Sequence, residues 1–381
     1  MSFRYASGIN KPGFNPLAVQ TSVTTYEPYL YSWGRNNTGQ LGLGNLTAYS
    51  SPKQVGALIN WANLAGGGNQ FVISTKTDGT LWSWGNGANG PLGLGNVTSY
   101  SSPKQVGALT AWLNVAAGYS GQVLATKTDG TLWSWGYNAQ GQLGQGNTTS
   151  ISSPQQVGAL TNWYLVSAAA NAAMALKTDG TMWSWGEGSY GYLGLGNTTS
   201  YSSPKQIGAL TTWSQIAMGG GRAGYAIKTD GTMWVWGRND NGGSLGLGNL
   251  TNYSSPVQLG ALTNWSKISA GNFYAVALKT DGTMWAWGTN GSGQLGQGNT
   301  TDRSSPVQIG ALTTWSSVSG QGLDCCGAIK TDGTLWMWGN SAFGQLGLGN
   351  STYYSSPKQV GAITTWYKIL ATRFSTIALL Y

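Results

Sequence analysis

A tryptophan followed by glycine returns at Trp33, Trp84, Trp135, Trp185, Trp236, Trp287 and Trp338, at intervals of 51, 51, 50, 51, 51 and 51 residues. Six of these units read Trp-x-Trp-Gly and the first reads Tyr-x-Trp-Gly. A strict period near fifty residues marks one supersecondary unit stacked on copies of itself, not a string of separate domains. It therefore overrides the two domains that a length of 381 residues would suggest.

The unit over residues 265–312 shows what is repeated. It runs WSKISA, GNFYAVALKT, DG, TMWAWG, then the long loop TNGSGQLGQGNTTDRSS, then PVQIGAL. The segments KIS, AVAL, TMWAW and VQI are short, alternating and rich in Val, Ile and Trp, as half-buried strands are. Asp281-Gly282 between two such runs predicts a tight hairpin, because glycine takes positive φ freely. Four short strands per unit, here lettered A to D, predict an all-β chain of seven four-stranded antiparallel propeller blades.

The sequence ALKTDGTMWAWG, followed by GQLGQGN, SSP and a hydrophobic strand, resembles the regulator of chromosome condensation (RCC1) repeat family. The likeness covers residues 29–381 and implies a seven-bladed β-propeller. The first unit begins at YLYSWG without a preceding KTDG, and the last stops at RFSTIALLY without a following TDG. Each end holds the half that the other lacks. One blade should therefore take strands A and B from the C-terminus and C and D from the N-terminus, leaving no open sheet edge. Residues 1–28 lie outside the repeat and read as an arm, for attachment or as a leader.

Several motifs have structural explanations. GxLGxGN resembles a phosphate-binding loop, but no helix follows it, and the dinucleotide fingerprint needs one. Its glycines should let the C–D loop turn tightly and pack under the next blade. Asn45, Asn96, Asn147, Asn197, Asn249, Asn299 and Asn350 begin N-x-S/T sequons and are expected to hold turns. A plant member of the family absorbs light with tryptophans. Here the WxWG indoles and the ring at Trp61, Trp112, Trp163, Trp213, Trp265, Trp315 and Trp366 recur in every blade, which argues for packing.

Other function classes lose ground on composition. Twenty tryptophans and 40% apolar residues exclude a disordered chain. No run approaches the roughly 20 apolar residues of a membrane-spanning helix, so no membrane insertion is expected, and the N-terminus has no stretch of signal-peptide type. The adjacent Cys325 and Cys326 should point to opposite faces of a strand and stay free and buried. There is no histidine, the commonest general base and metal ligand. Acids outside the repeated turns, namely Glu27, Glu187, Asp240, Asp302 and Asp324, are scattered over different units. No catalytic site, metal or cofactor is expected.

The net charge of +8 reads first as solubility. In each KTDG the lysine and aspartate should nearly cancel, leaving the surplus at Lys53, Lys104, Lys205 and Lys358 of SSPK. Nucleic-acid binding, which needs clustered Arg and Lys, is disfavoured with six arginines. The founding family member is a nucleotide-exchange factor that binds chromatin. That activity needs an inserted wedge, and these uniform repeats have no room for one.

The units differ most in the A–B loop and at the start of the C–D loop. Both lie at one end of an antiparallel blade, whereas the near-invariant TDG turn and GALTxW link lie at the other. Binding residues sit on loops over a rigid scaffold, so the varied end is the expected binding face, with the SSPK lysines and Tyr49, Tyr100, Tyr201, Tyr253 and Tyr354 also placed there. The candidates are Arg35, Tyr119, Tyr137, Glu187, Tyr190, Arg222, Arg238, Asp240, Phe273, Tyr274, Asp324, Phe343, Arg373 and Phe374. Aromatics and arginine are the usual interface anchors.

The reading is a non-enzymatic structural or binding protein. Its regular TDGTLWSWG units resemble RCC1-repeat proteins of bacteria and their viruses. The expectation is a phage virion component, a capsid decoration or tail-associated protein, meeting a virion protein or a host surface receptor. Two other settings remain open: a cytoplasmic or secreted propeller that clamps an enzyme as an inhibitor does, and a cell-surface adhesin that binds glycan.

Overall fold

The computed structural model describes residues 28–68 and 70–381; the expected arm falls outside them except for Pro28. Seven four-stranded sheets form the chain, each hydrogen-bonded in the order A-B-C-D. In blade 1 the strands are Trp61–Gly67, Phe71–Lys76, Leu81–Gly85 and Tyr100–Gln105. Blades 2 to 6 span residues 112–156, 163–206, 213–258, 265–308 and 315–359. Blade 7 takes its A and B strands, Trp366–Ala371 and Ser375–Leu380, from the C-terminus and its C and D strands, Tyr29–Gly34 and Tyr49–Gln54, from the N-terminus. Leu30 faces Leu379 and Trp33 faces Thr376 in that antiparallel seam. The ring closes as the chain ends predict. A strands contact A strands of neighbouring blades, so they lie innermost around the axis.

The TDGTxW motif builds the B–C turn. Gly282 takes φ +77°, and the Asp281 carboxylate accepts from the Thr283 N–H at 2.9 Å and hydroxyl at 2.6 Å. That hydroxyl accepts in turn from the indole of Trp285 at 2.9 Å. The threonine hydrogen bonds hold the Asp281 carboxyl below its ordinary range. The charges of Lys279 and Asp281 act on each other, as the cancelling pair predicts, but the lysine is seated on the rings: Lys279 Nζ stands 3.7 Å from the ring centroid of Trp285 and 5.0 Å from that of Trp265. Stem burial along the rings and the ring quadrupole explain this placement.

The second tryptophan of WxWG is a bolt between blades. Trp84 donates to the Gln40 carbonyl of blade 7 at 3.0 Å, Trp135 to Pro91 at 2.8 Å and Trp33 to Gln345 at 2.9 Å. The same bond recurs at Trp185, Trp236, Trp287 and Trp338. The acceptor always lies in the GxLG loop of the preceding blade. The last glycine of that loop must be glycine: at Gly347 φ is +74°, and a Cβ would lie 2.7 Å from Trp33 Nε1. In blades 1, 2, 3 and 5 the strand-A tryptophan packs edge-on against both indoles of its own blade, Trp61 at 6.1 Å from Trp82 and 5.8 Å from Trp84.

The apolar core is therefore a ring of clusters lying between blades, one of which joins Trp33, Leu346, Trp366 and Ala378. Cys325 belongs to the cluster between blades 6 and 7 and Cys326 to the one between blades 5 and 6; both are free and buried. Asn45 accepts from the Thr47 N–H at 2.9 Å, and the other sequon asparagines hold the same turn.

Candidate binding face

The A–B and C–D loops share one end of the disc. Gly34 closes strand C of blade 7 opposite Ser375, where strand B begins, and opposite Tyr49, where strand D begins. The same register holds in every blade, so the candidate loop residues gather at that end. The SSPK tyrosines open strand D at that same end, but on its outer edge, and the SSPK lysines lie further along the strand, opposite the middle of strand C. They lie along strand D, the outermost strand, where Lys53 stacks over Tyr49 at 5.4 Å. They belong to the rim.

One group forms across blades 3, 4 and 5. Arg222 Nε donates to Glu187 Oε1 at 2.9 Å. Glu187 also accepts from Ser189 at 2.6 Å and from Asn171 at 3.1 Å. Burial pushes the Glu187 carboxyl up, but the bonds from Ser189, Arg222 and Asn171 outweigh it and leave the group below its ordinary range. The Tyr190 ring lies 4.7 Å from the guanidinium of Arg238 and 5.9 Å from that of Arg222. Arg238 also faces Phe273 at 5.4 Å and pairs with Asp240 at 2.6 Å. Tyr190 at φ 59° and Arg222 at φ 69° are held in the left-handed region, which costs about 1–2 kcal/mol per residue.

A second group joins blades 6 and 7. Phe343 and Phe374 meet edge to face at 5.4 Å. The Arg35 guanidinium sits 4.9 Å from one ring and 5.0 Å from the other, and Arg373 lies 4.5 Å from Phe374. Phe343 is 40% exposed. Asp324 is nearby; burial raises its carboxyl above the usual range, and the charge of Arg373 offsets this only in part.

Three candidates stand apart. Tyr274 is fully buried, its hydroxyl donating to the Cys325 carbonyl at 2.8 Å. It starts strand B, where alternation turns it into the blade 5–6 core, so it is not part of the face. Tyr119 bridges the axis: its hydroxyl donates to the Gln321 carbonyl of blade 6 at 3.3 Å. Its ring rests against Gly68 of blade 1 and Gly220 of blade 4, where added Cβ atoms would lie 2.4 and 2.9 Å from it. Tyr137 is half-buried in the C–D loop of blade 2 and joins neither group.

Sequence reasoning missed Asn171, Ser189 and Ser120, whose hydroxyl donates to Asn171 at 2.6 Å. It also missed that the GGG runs of blades 1 and 4 make room for aromatics: a Cβ on Gly221 would lie 2.3 Å from Phe273. The signal was present, since glycine runs in two A–B loops accompany bulky residues in two others. Among the described residues no group of His, Cys, Asp or Glu gathers as metal ligands would, and no helix is long and apolar enough to cross a membrane.

Seven closed four-stranded blades with arginine–aromatic groups at one loop end define a β-propeller with a differentiated face. The regulator of chromosome condensation (RCC1) repeat matches residues 29–73, 78–124, 129–176, 179–222, 230–278, 281–320 and 332–379. The chain belongs to that family. It is 33% identical over 350 residues to the ultraviolet-B receptor UVR8 of Arabidopsis thaliana, covering 87% of this chain and 78% of the receptor. It is 31% identical over 347 residues to the E3 ubiquitin-protein ligase HERC2 of Homo sapiens, covering 88% of this chain and 7% of the ligase. The chain thus spans a small part of that relative's length. Among solved structures, Prp20p of Saccharomyces cerevisiae, described with its binding to Gsp1p and histones, superposes with a TM-score of 0.83 at 19% identity over 94% of this chain and 92% of that one.

Proposed function

We propose that this chain is a non-catalytic, protein-binding propeller whose docking face is the loop end carrying the two arginine–aromatic groups. The observation that carries this reading is the pairing of exposed and half-buried rings with arginines that are already oriented. Arg35 is held between Phe343 and Phe374, and Arg238 between Tyr190 and Phe273. Aromatic and arginine side chains fixed before association lose little freedom on binding, which is how interface anchors work. Strain at Tyr190 and Arg222 is of the kind that clusters at functional sites. The likeness to Prp20p, whose described partners Gsp1p and histones are proteins, supports a protein partner.

Affinity capture from the source organism's extract tests it. The wild type and Leu262→Ser, changed at the opposite end, should retain the same protein. Phe343→Ala/Arg373→Ala/Phe374→Ala and Arg238→Ala/Phe273→Ala should lose it. Full retention by both loop-end variants would place docking elsewhere. The virion setting extends this proposal by resemblance alone; enrichment of the chain in purified particles tests it, and absence from those particles would end it.

A further inference from the structure

Grooves recur on the rim between successive blades. Their floors and walls come from the strand-A tryptophan, the first WxW tryptophan, the Ser-Pro of strand D and the end of the preceding strand D. Volumes are about 330 Å³ between blades 2 and 3 and between 3 and 4, and about 430 Å³ between 6 and 7. The groove between blades 5 and 6 measures about 510 Å³, well inside the ~300–1,000 Å³ range of small-molecule sites.

That groove also differs in chemistry. Strand D begins with tyrosine in five blades, at Tyr49, Tyr100, Tyr201, Tyr253 and Tyr354, but with Arg303 in blade 5. The loop position filled by leucine at Leu43, Leu94, Leu195, Leu247 and Leu348 is Gln297 here, as it is Gln145 in blade 2, but only Gln297 has an arginine beside it at the start of strand D, where blade 2 has Ile151. Arg303 Nε donates to Gln297 Oε1 at 3.3 Å, which aims the guanidinium. Among the described residues no carboxylate lies within 4.0 Å of it. The neighbouring Asp302 accepts from the Asn290 N–H. Gln308 is released as well. Gln54, Gln105, Gln156, Gln258 and Gln359 each donate to the glycine carbonyl two residues on, at 3.1–3.3 Å, whereas Gln308, like Gln206 of blade 3, makes no such bond. On the wall, the buried indole N–H of Trp315 has no acceptor, a feature this groove shares with those walled by Trp163, Trp213 and Trp366.

We infer that the blade 5–6 groove is a carbohydrate site for a carboxylated sugar of the uronic-acid type. A pyranose presents an apolar C–H face and a rim of hydroxyls. Trp336, Trp315 and Pro357 supply the apolar surface. The amides of Gln297 and Gln308 both donate and accept, as sugar hydroxyls require. Arg303 offers a fork that matches one carboxylate. A single unpaired cation suits a monoanion better than a doubly charged phosphate. This assignment does not rest on the loop-end docking face.

Saturation-transfer NMR on the whole chain, with D-glucuronate and D-glucose as probes, tests the site. Glucuronate should bind, glucose at least tenfold more weakly. Arg303→Tyr, which restores the residue of five other blades and should fold normally by its melting curve, should weaken glucuronate at least tenfold. Inorganic phosphate at equal concentration should not compete. The proposal fails if the wild type does not bind glucuronate, if glucose binds equally, if Arg303→Tyr binds as the wild type does, or if phosphate displaces the sugar.

Discussion

The indole of Trp33 donates to the main-chain carbonyl of Gln345 at 2.9 Å, joining residues 312 positions apart in the sequence. The bond is the same one that links every other pair of adjacent blades. The N-terminal half of blade 7 is thus bolted to blade 6 in the same way as every other blade is to the one before it. Blade 7 is reinforced on its other side by Lys368, which donates to the Ala62 carbonyl at 2.9 Å and to Asn63 at 2.6 Å.

Removing residues 366–381 should open the ring. Blade 7 would lose strands A and B, and Leu30 and Trp33, both fully buried, would face water. Exposing a tryptophan alone forfeits roughly 5 kcal/mol as an upper bound. Calorimetry should show a lower, broader transition than that of the full chain; a superimposable melt would contradict closure.

Two glycines separate steric need from backbone need. Gly347 and Gly361 both have positive φ, at +74° and +60°. A methyl at Gly361 meets nothing within 4 Å, whereas one at Gly347 lies 2.7 Å from Trp33 Nε1. Gly361→Ala should cost about 1–2 kcal/mol, the left-handed penalty. Gly347→Ala should cost about 2–5 kcal/mol, because overpacking adds about 1–3. Guanidinium unfolding of both variants gives the comparison, and equal losses would refute the contact.

Glu187 and Asp324 should act on stability with opposite signs. The Glu187 carboxyl lies below its ordinary range, so its contribution is present above the unfolded-state value and disappears as pH falls through the folded one. The Asp324 carboxyl is raised by burial, so the native state holds that proton more tightly and stability falls as pH rises through the window between the two values. Glu187→Gln should lower stability by about 1 kcal/mol at neutral pH, discounted for the part-exposed Arg222, and by less in acid. Asp324→Asn should raise neutral-pH stability and flatten the profile. Denaturant titrations from pH 3 to 8 would show both.

Cys325 and Cys326 should be inert in the native state. Burial pushes the Cys325 thiol up to about 12 and raises that of Cys326 further, and the thiolate is the reactive form. A colorimetric thiol reagent at neutral pH should count no thiols in the folded protein and two after unfolding. Native labelling at the rate of a free thiol would show that the blade 5–6–7 core opens.

Tyr274→Ala and Tyr119→Ala should both destabilise, although both residues looked like binding anchors in the sequence. Tyr274 is fully enclosed, and deleting a buried ring costs about 3–5 kcal/mol. Tyr119 should cost less, because its ring is half-buried. Urea midpoints with unchanged slopes would confirm a packing role; unchanged midpoints would return both residues to the binding face.

Nearly all of the architecture was legible because each blade repeats it. Period, hairpin turns, closure and the tight GxLG loop all follow from motifs whose partners lie one blade away. What local spacing could not show was direction. The KTDG lysine offsets the charge of the aspartate two residues on, as the spacing implies, but spacing did not show that the adjoining tryptophan rings seat it. Tyr274 looked like loop and is the first inward residue of a strand. Sequence difference between blades admits two readings, binding or drift on a face that contacts nothing. In space, part of it is internal fit: Gly68 and Gly220 are small because Tyr119 is large, and Gly221 because the Asn272 carbonyl and the Phe273 ring both press on it. The arginine–aromatic groups remain after that share is removed, and no single unit contains either of them whole.

Tyr119 also sets a limit on how this ring could be rebuilt. Because the chain ends meet inside one blade, new termini could be opened in a TDG turn without changing any neighbour. The order of the blades is another matter. One side chain from blade 2 needs glycine in blades 1 and 4 and a carbonyl in blade 6. Seven near-identical modules have thereby become an addressed set, which tolerates being cut at a new place but not being shuffled.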